Sequence, residues 1–266
     1  MYEPNVKRVL DLITPTDVVL DIGGWGRPFN RANYVIDAES YETRGYYGTA
    51  RAAQGGDREF FSQETWIQRD ICDHTPFPFA DKEIDFVLCS HTLEDVRDPL
   101  WVCAEMVRVA KRGYIEVPSR VVESCRGVEP GQVGWTHHRW LVDINVNHIN
   151  FLMKYHMIHS HWRYSFPPSY FRQLPERRRV QWLFWEGNFT FSEQTIHGVE
   201  NIAAELESFI REHRPYNSLI VTAGNCLSRT WRLGHRLRAK AERILQTSEQ
   251  SRVSVISPQD DDTTSA

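Results

Sequence analysis

The chain has 266 residues, 41% hydrophobic and 25% charged, a balance that excludes disorder throughout. Its formal net charge of −4 argues against a nucleic-acid partner, which calls for a basic face. Five scattered cysteines without a C-x-x-C pair read as reduced thiols, the first dozen residues lack the apolar run of a signal peptide, and no window of eighteen apolar residues predicts a membrane span, so a cytoplasmic protein is expected.

Residues 5–14 place Val6, Val9, Leu10 and Ile13 at helical spacing, and Pro15 ends that helix. Val18 to Ile22 reads as a short buried strand closed by Gly23-Gly24, and Tyr34 to Asp37 as a second. Residues 40–66 are rich in Gly, Tyr and Arg with weak periodicity and read as a long loop. Trp66 to Ile71 forms a third predicted strand and Asp85 to Ser90 a fourth, followed by a helix over 99–111 with Pro99 in its first turn. Tyr114 to Pro118 is the next strand. Strands that alternate with helices or loops imply a parallel α/β sheet.

Beyond residue 120 the rhythm changes. Trp140–Ile144 and Ile149–Met153 read as a hairpin, and Val180–Phe191 as a second one turning at Glu186-Gly187-Asn188. Residues 193–213 set Ile196, Val199, Ile202, Ala203, Leu206 and Ile210 on one helical face. Residues 226–246 form a further predicted helix with a basic side, suited to peripheral contact with an anionic membrane or to packing with its charges in water. The tail over 248–266 reads as disordered. The division expected is a core over 1–120, a substrate-side extension over 121–247, and the tail.

Three acids stand at or just after the ends of three successive predicted strands: Asp21, Asp37 and Asp70. In an open parallel sheet, ligands bind across the carboxyl ends of the strands. Glycines after the first strand let backbone approach a ligand closely. An acid after the second can accept hydrogen bonds from ribose hydroxyls, and one after the third from an exocyclic amine. The set describes a pocket for an adenosine-containing cofactor.

The segments VVLDIGGWGRPF, YVIDAE, QRDICDHTPFPFADKEIDFVLCSHTLEDVRDP and GYIEVPS, taken in this order, resemble class I S-adenosylmethionine-dependent methyltransferases, the type-11 branch in particular, over roughly residues 16–120. The resemblance implies a Rossmann-like α/β sheet with a C-terminal hairpin and helical extension. It implies S-adenosylmethionine as cofactor, with Asp21, Gly23 and Gly24 at the methionine part, Asp37 on the ribose, and Asp70 and Ile71 flanking the adenine. Ser90 and His91 would face the methionine end and the acceptor. The acceptor expected is an oxygen of a small molecule or glycan. The alternatives are a fold that binds the cofactor for another reaction, and a non-catalytic binding module. Trp25 and Arg27 stand where the usual motif has its second and third glycines. Only sixteen positions separate Asp21 from Asp37, so a short turn over 27–31 replaces the usual crossover helix.

Six of the eleven histidines fall between residues 137 and 161. They read either as a metal site or as surface and hydrogen-bonded histidines. No spacing matches a strong ligand signature, so no metal is expected. His91, His137 and His138 are the candidates for a general base. Glu94 and Asp95 read either as acids that orient a histidine or the substrate or as helix-capping acids. Trp135, Arg139 and Trp140 form either a pocket wall or hairpin packing. Arg120, Glu123 and Arg126 either anchor the acceptor or pair with one another. The triple Arg177-Arg178-Arg179 is a second basic spot.

Overall fold

The computed structural model describes residues 1–46 and 54–214. The described residues fall within one compact unit, Met1–Arg214. The predicted basic helix over 226–246, the tail over 248–266 and Cys226 lie outside the described residues.

The chain opens on α1 (Glu3–Leu12), two residues earlier than the apolar spacing predicts, with a proline in its first turn where the missing N–H breaks no helical bond. There follow β1 (Val19–Ile22), β2 (Tyr34–Asp37), β3 (Trp66–Gln68), β4 (Phe86–Ser90), α2 (Pro99–Val109), β5 (Arg112–Pro118) and α3 (Arg120–Glu123). The second half holds β6 (Trp140–Asn145), β7 (His148–Met153), α4 (Pro168–Gln173), β8 (Val180–Glu186), β9 (Thr190–Gln194) and α5 (Val199–Glu212).

Six strands form one sheet in the order β3-β2-β1-β4-β5-β8, the first five parallel and β8 antiparallel to β5. This is the Rossmann-like α/β sheet that the sequence predicts. Connections leave β1 toward β2 and β4 toward β5 in opposite directions, so the carboxyl ends of β1 and β4 flank the crevice where such sheets take ligands.

No helix joins β1 to β2 or β3 to β4 among the described residues, and aromatic side chains cover the sheet instead. On the α1 face, Phe29, Phe61, Trp66 and Tyr114 pack with Val6 and Val9. On the α2 face, Phe77 and Phe79 pack with Val102, Met106 and Val109. Burying such rings contributes roughly 1.5–3 kcal/mol each. The β1–β2 turn is held by Arg31, whose guanidinium donates to the carbonyls of Thr14 (2.9 Å) and Asp17 (3.0 Å) and to Asn33 Oδ1 (3.0 Å).

Three expectations are corrected. β3 stops at Gln68, not Ile71, because Asp70 Oδ1 accepts from Cys72 N at 2.8 Å and turns the chain. Val180–Phe191 is not a hairpin: β8 joins β5 in the large sheet, while β9 runs parallel to β7 in a three-stranded sheet of order β6-β7-β9. The Glu186–Asn188 turn is pinned from two sides, since Gly187 N donates to Lys111 O (2.8 Å) and Asn147 Nδ2 donates to Asn188 O (3.1 Å). Finally, α5 begins at Val199 rather than 193, since Glu193 and Gln194 complete β9. The β6–β7 hairpin forms as predicted. Gln181 on β8 bridges the two sheets, accepting from Ile144 N (3.0 Å) and donating to Val142 O (2.9 Å).

Arg120 is buried under the second sheet. It pairs with Asp143 on β6 (2.9 Å) and Glu205 on α5 (2.8 Å) and lies 4.1 Å over the Phe209 ring. It is therefore a joint between three elements and not an acceptor anchor. Arg120→Ala is expected to cost about 3 kcal/mol, at the low end for breaking a buried ionic group because both carboxylates reach water. Urea denaturation checks this, and an unchanged midpoint would refute it.

Candidate functional site

The crevice at the ends of β1 and β4 opens into a cavity of about 710 Å³, within the ~300–1,000 Å³ usual for small-molecule sites. Of the residues expected from the sequence, Asp21, Gly23, Gly24, Asp37, Ser90, His91 and His137 line it. Asp70, Ile71 and His138 do not. Asp70 is drawn away by Arg97, whose guanidinium pairs with it at 2.6 Å, and Ile71 is packed into the core.

The turn after β1 depends on its glycines. Gly23 has φ +74°, and a Cβ there would sit 2.1 Å from Thr92 Oγ1. A Cβ on Gly24 would sit 2.5 Å from Asp21 Oδ2. That same oxygen accepts from Phe29 N at 2.8 Å, so Asp21 closes the turn from inside. Burial pushes the Asp21 carboxyl up to about 7, with the Phe29 N–H opposing and neighbouring Asp37 adding to the rise. Asp37 accepts from Trp25 N (3.0 Å) and Glu39 N (2.9 Å), one on each oxygen. A carboxylate has about four lone-pair sites, so each oxygen keeps one for a further donor.

Across the crevice, His91 follows β4 with φ +56°, in the left-handed region, where a non-glycine residue marks a constrained position. Its Nε2 lies 3.0 Å from Glu116 Oε1 and its Nδ1 3.5 Å from Glu94 Oε1. Burial lowers the imidazole, but the hydrogen bonds and charges of Glu116 and Glu94 outweigh it and raise it to about 9. The two carboxylates thus favour the protonated imidazole at neutral pH, which disfavours His91 as a general base there. Glu116, in the middle of β5, is fully buried. Tyr2 N donates to both its oxygens at 2.9 Å, and the Tyr114 hydroxyl donates to Oε2. Burial pushes Glu116 up, yet the His91 hydrogen bond and charge prevail and hold it at about 2.

His138 is buried behind His137, with Nδ1 2.7 Å from Glu123 Oε1 and Nε2 3.8 Å from Asp95 Oδ1. Burial lowers His138, while Glu123, Glu94 and Asp95 together raise it. Glu123 also takes Lys154 Nζ at 2.6 Å. Asp95 and His137 face the cavity. The capping role read for Glu94 and Asp95 belongs to Asp98, which accepts from Trp101 N at 3.0 Å. Trp135 and Trp140 do not line this cavity: Trp135 lies against His138, and Trp140 donates to Val96 O (2.8 Å) and packs edge-on to Phe151. Arg126 donates to Ser165 Oγ, and Arg139 N to Glu94 O. Within the arginine triple, Arg177 covers the Trp182 ring at 3.7 Å and Arg179 lines the cavity. The four cysteines among the described residues are buried, unpaired, and pushed up by burial.

Sequence reasoning passed over Glu116 and the N-terminal wall, where the Tyr2 ring stacks on Trp182 at 5.5 Å. A charged residue inside the apolar run Tyr114-Ile115-Glu116-Val117 was the available signal, since a fully buried Glu needs partners.

Residues 45–115 match the family described as "Methyltransferase domain". No curated protein matches the chain significantly. Solved structures that it resembles include a SAM-dependent methyltransferase from Aquifex aeolicus (17% identity over 44% of this chain and 65% of that one, TM-score 0.30). A second is an S-adenosylmethionine-dependent methyltransferase from Mesorhizobium loti (16%, 55% and 62%, TM-score 0.29). A third is the [4+2]-cyclase SpnF (19%, 42% and 45%, TM-score 0.28). The chain spans less than two thirds of the length of each. Residues 45–115 thus resemble a methyltransferase domain, in keeping with the type-11 likeness of the sequence. Among the described residues no helix is long and apolar enough to cross a membrane.

The His91–Glu116 pair sets a pH dependence. His91 is raised from 6.5 to about 9, so its contribution to stability is complete below pH 6.5 and is lost as pH rises through 9. Glu116 is lowered from 4.5 to about 2, so its contribution is complete above pH 4.5 and is lost as pH falls toward 2. Thermal midpoints of the wild type should fall relative to His91→Asn, which tolerates the same backbone, as pH rises from 6.5 to 9. Parallel curves would refute the pairing.

Proposed function

We propose that the methyltransferase domain of this chain transfers a methyl group from S-adenosylmethionine to a hydroxyl oxygen of a small molecule or glycan. The observation that carries this reading is the cavity at the β1/β4 switch point, with a glycine turn, an unsaturated Asp37 carboxylate and an orphaned Ser90 on its walls.

The residues present fit the cofactor. Ser90 Oγ is buried with no hydrogen-bond partner in the protein, which calls for a partner from a ligand. Asp37 retains acceptor capacity for two ribose hydroxyls. Asp21, Asp37, Asp95 and Glu116 on the walls favour a cationic sulfonium and ammonium. When bound, the cofactor supplies a methyl group already activated by its positive sulfur, so the protein has mainly to align donor and acceptor and dispose of one proton.

The chain's own residues divide that work. Gly23 and Gly24 bring backbone to the cavity wall, and Asp37 and Ser90 set the donor's orientation. His91, with both ring nitrogens facing carboxylates, positions the end of β4 and does not take the proton. Asp95 and His137 face the cavity on the acceptor side. Acids and aromatic rings on this wall, among them Glu176 and Tyr2, suit a hydroxylated acceptor and disfavour a polynucleotide.

Calorimetric titration with S-adenosylhomocysteine tests the reading. Micromolar binding is expected, weakened about tenfold or more in Asp37→Ala as a doubly used acceptor is lost. Binding unchanged in that variant would overturn the ribose assignment, and no binding by the wild type would overturn the cofactor site.

A further inference from the structure

We infer that Asp95, His137 and His138 form a divalent metal site of the zinc class on the acceptor side of the cavity. One ligand atom from each lies within 4.8 Å of the others. Asp95 Oδ1 stands 3.8 Å from His138 Nε2. Zinc bonds of about 2.0–2.1 Å in tetrahedral geometry place ligand atoms roughly 3.3–3.4 Å apart. Closing on a metal therefore takes a small shift, and His137, with 57% of its side chain exposed, is free to make it.

The surroundings are those of a metal-binding histidine pair. Such histidines usually donate their second ring N–H to a carboxylate, which fixes the tautomer and aims the free nitrogen at the metal. His138 Nδ1 meets Glu123 at 2.7 Å, leaving Nε2 toward Asp95. His137 Nδ1 faces Glu129 at 3.7 Å, leaving its Nε2. Glu123 is itself fixed by Lys154, which also donates to Trp135 O at 2.6 Å. Gly134, at φ +60°, makes room for this pair, because a Cβ there would lie 2.5 Å from Glu123 Oε2 and 2.7 Å from Lys154 Nζ. The loop carrying both histidines is thus built around the carboxylate that orients one of them.

A second observation points the same way. Asp95 Oδ1 is buried without a hydrogen-bond partner, 3.8 Å from His138 Nε2, and beside it Glu94 is 1% exposed, with the His91 ring 3.5 Å from its Oε1. Glu94, Asp95, Glu123 and Glu129 surround the two histidines, against the single buried ammonium of Lys154 and the cation of His91. A divalent ion would balance this surplus. Two imidazoles and one carboxylate leave a coordination position open toward the cavity, as catalytic sites do. An acceptor hydroxyl bound there would become more acidic. That role rests on the methyl-transfer reading, whereas the site itself does not.

The test uses the full chain, stripped with chelator and titrated with Zn²⁺, and with Co²⁺ as the visible probe. One equivalent is expected to bind, and His137→Ala and Asp95→Asn should each weaken it by about tenfold or more. His161→Ala, outside the cavity, should leave it unchanged. His137 is exposed enough for its alanine variant to fold, and thermal midpoints check both variants. No stoichiometric binding, or binding indifferent to His137→Ala and Asp95→Asn, overturns the site. S-adenosylhomocysteine titrated in parallel separates the two readings. Zinc binding without cofactor binding supports the site and removes the methyltransferase reading, and cofactor binding without zinc does the reverse.

Discussion

The carboxylate of Glu116 is the constraint on which the site's architecture depends. It is a full charge in the centre of the sheet, and isolated it would cost many kcal/mol. It is tolerated because three parts of the chain converge on it: His91 after β4, the Tyr2 amide before α1, and the Tyr114 hydroxyl two residues back on β5. Asn5 on α1 extends the network by donating to Tyr114 at 2.8 Å. One buried acid therefore fixes the end of β4, the angle of α1 and the N-terminal wall of the cavity. It also explains the left-handed backbone of His91. The His91 amide donates to Glu116 O and its ring returns to the same residue's side chain, and the two bonds together offset the strain.

A second feature is the scarcity of helices over the sheet. Parallel sheets bury both faces, ordinarily under crossover helices. Here the β1–β2 connection holds none, and Phe29, Phe61 and Trp66 fill that layer. Loops can replace a helix only if their backbone groups are satisfied. Arg31 supplies that for the β1–β2 turn by donating to carbonyls of the loop between α1 and β1, and Asp21 supplies it by capturing Phe29 N. The aromatic richness of the composition is in large part this loop layer and not a lined pocket.

Much of this was legible in the sequence, and the limits have physical causes. β1, β2 and β4 were readable because each is a short apolar run that ends in, or is followed by, Gly, Asp or Ser. The missing first crossover helix followed from the distance between Asp21 and Asp37. The fate of β8 and β9 was hidden, because alternation states which face a strand buries and not which edge it joins. Asp37, Ser90 and His91 came to the cavity as their positions after strands suggested. Asp70 did not, because Arg97, distant in sequence, neutralises it. The pairing of His91 was hidden for a similar reason: a histidine reads as a base until its neighbours are known, and Glu94 and Glu116 favour its protonated form. Protonation state is a tertiary property.

That last point bears on how the proton of an acceptor is handled. A cavity whose β4 histidine is already charged needs another route for it. The only other imidazole on the cavity wall among the described residues is His137, and its neighbour His138 is tied to Glu123. A lone exposed histidine would be a serviceable base without this support. The buried Glu123–Lys154 pair, the glycine that admits it and the Asp95 oxygen without a hydrogen-bond partner are more than a simple base requires. Buried carboxylates without donors are destabilising unless a cation joins them. The arrangement is therefore best understood as one whose charges are completed by a bound partner, with the cofactor's sulfonium on one side of the cavity and a divalent ion on the other.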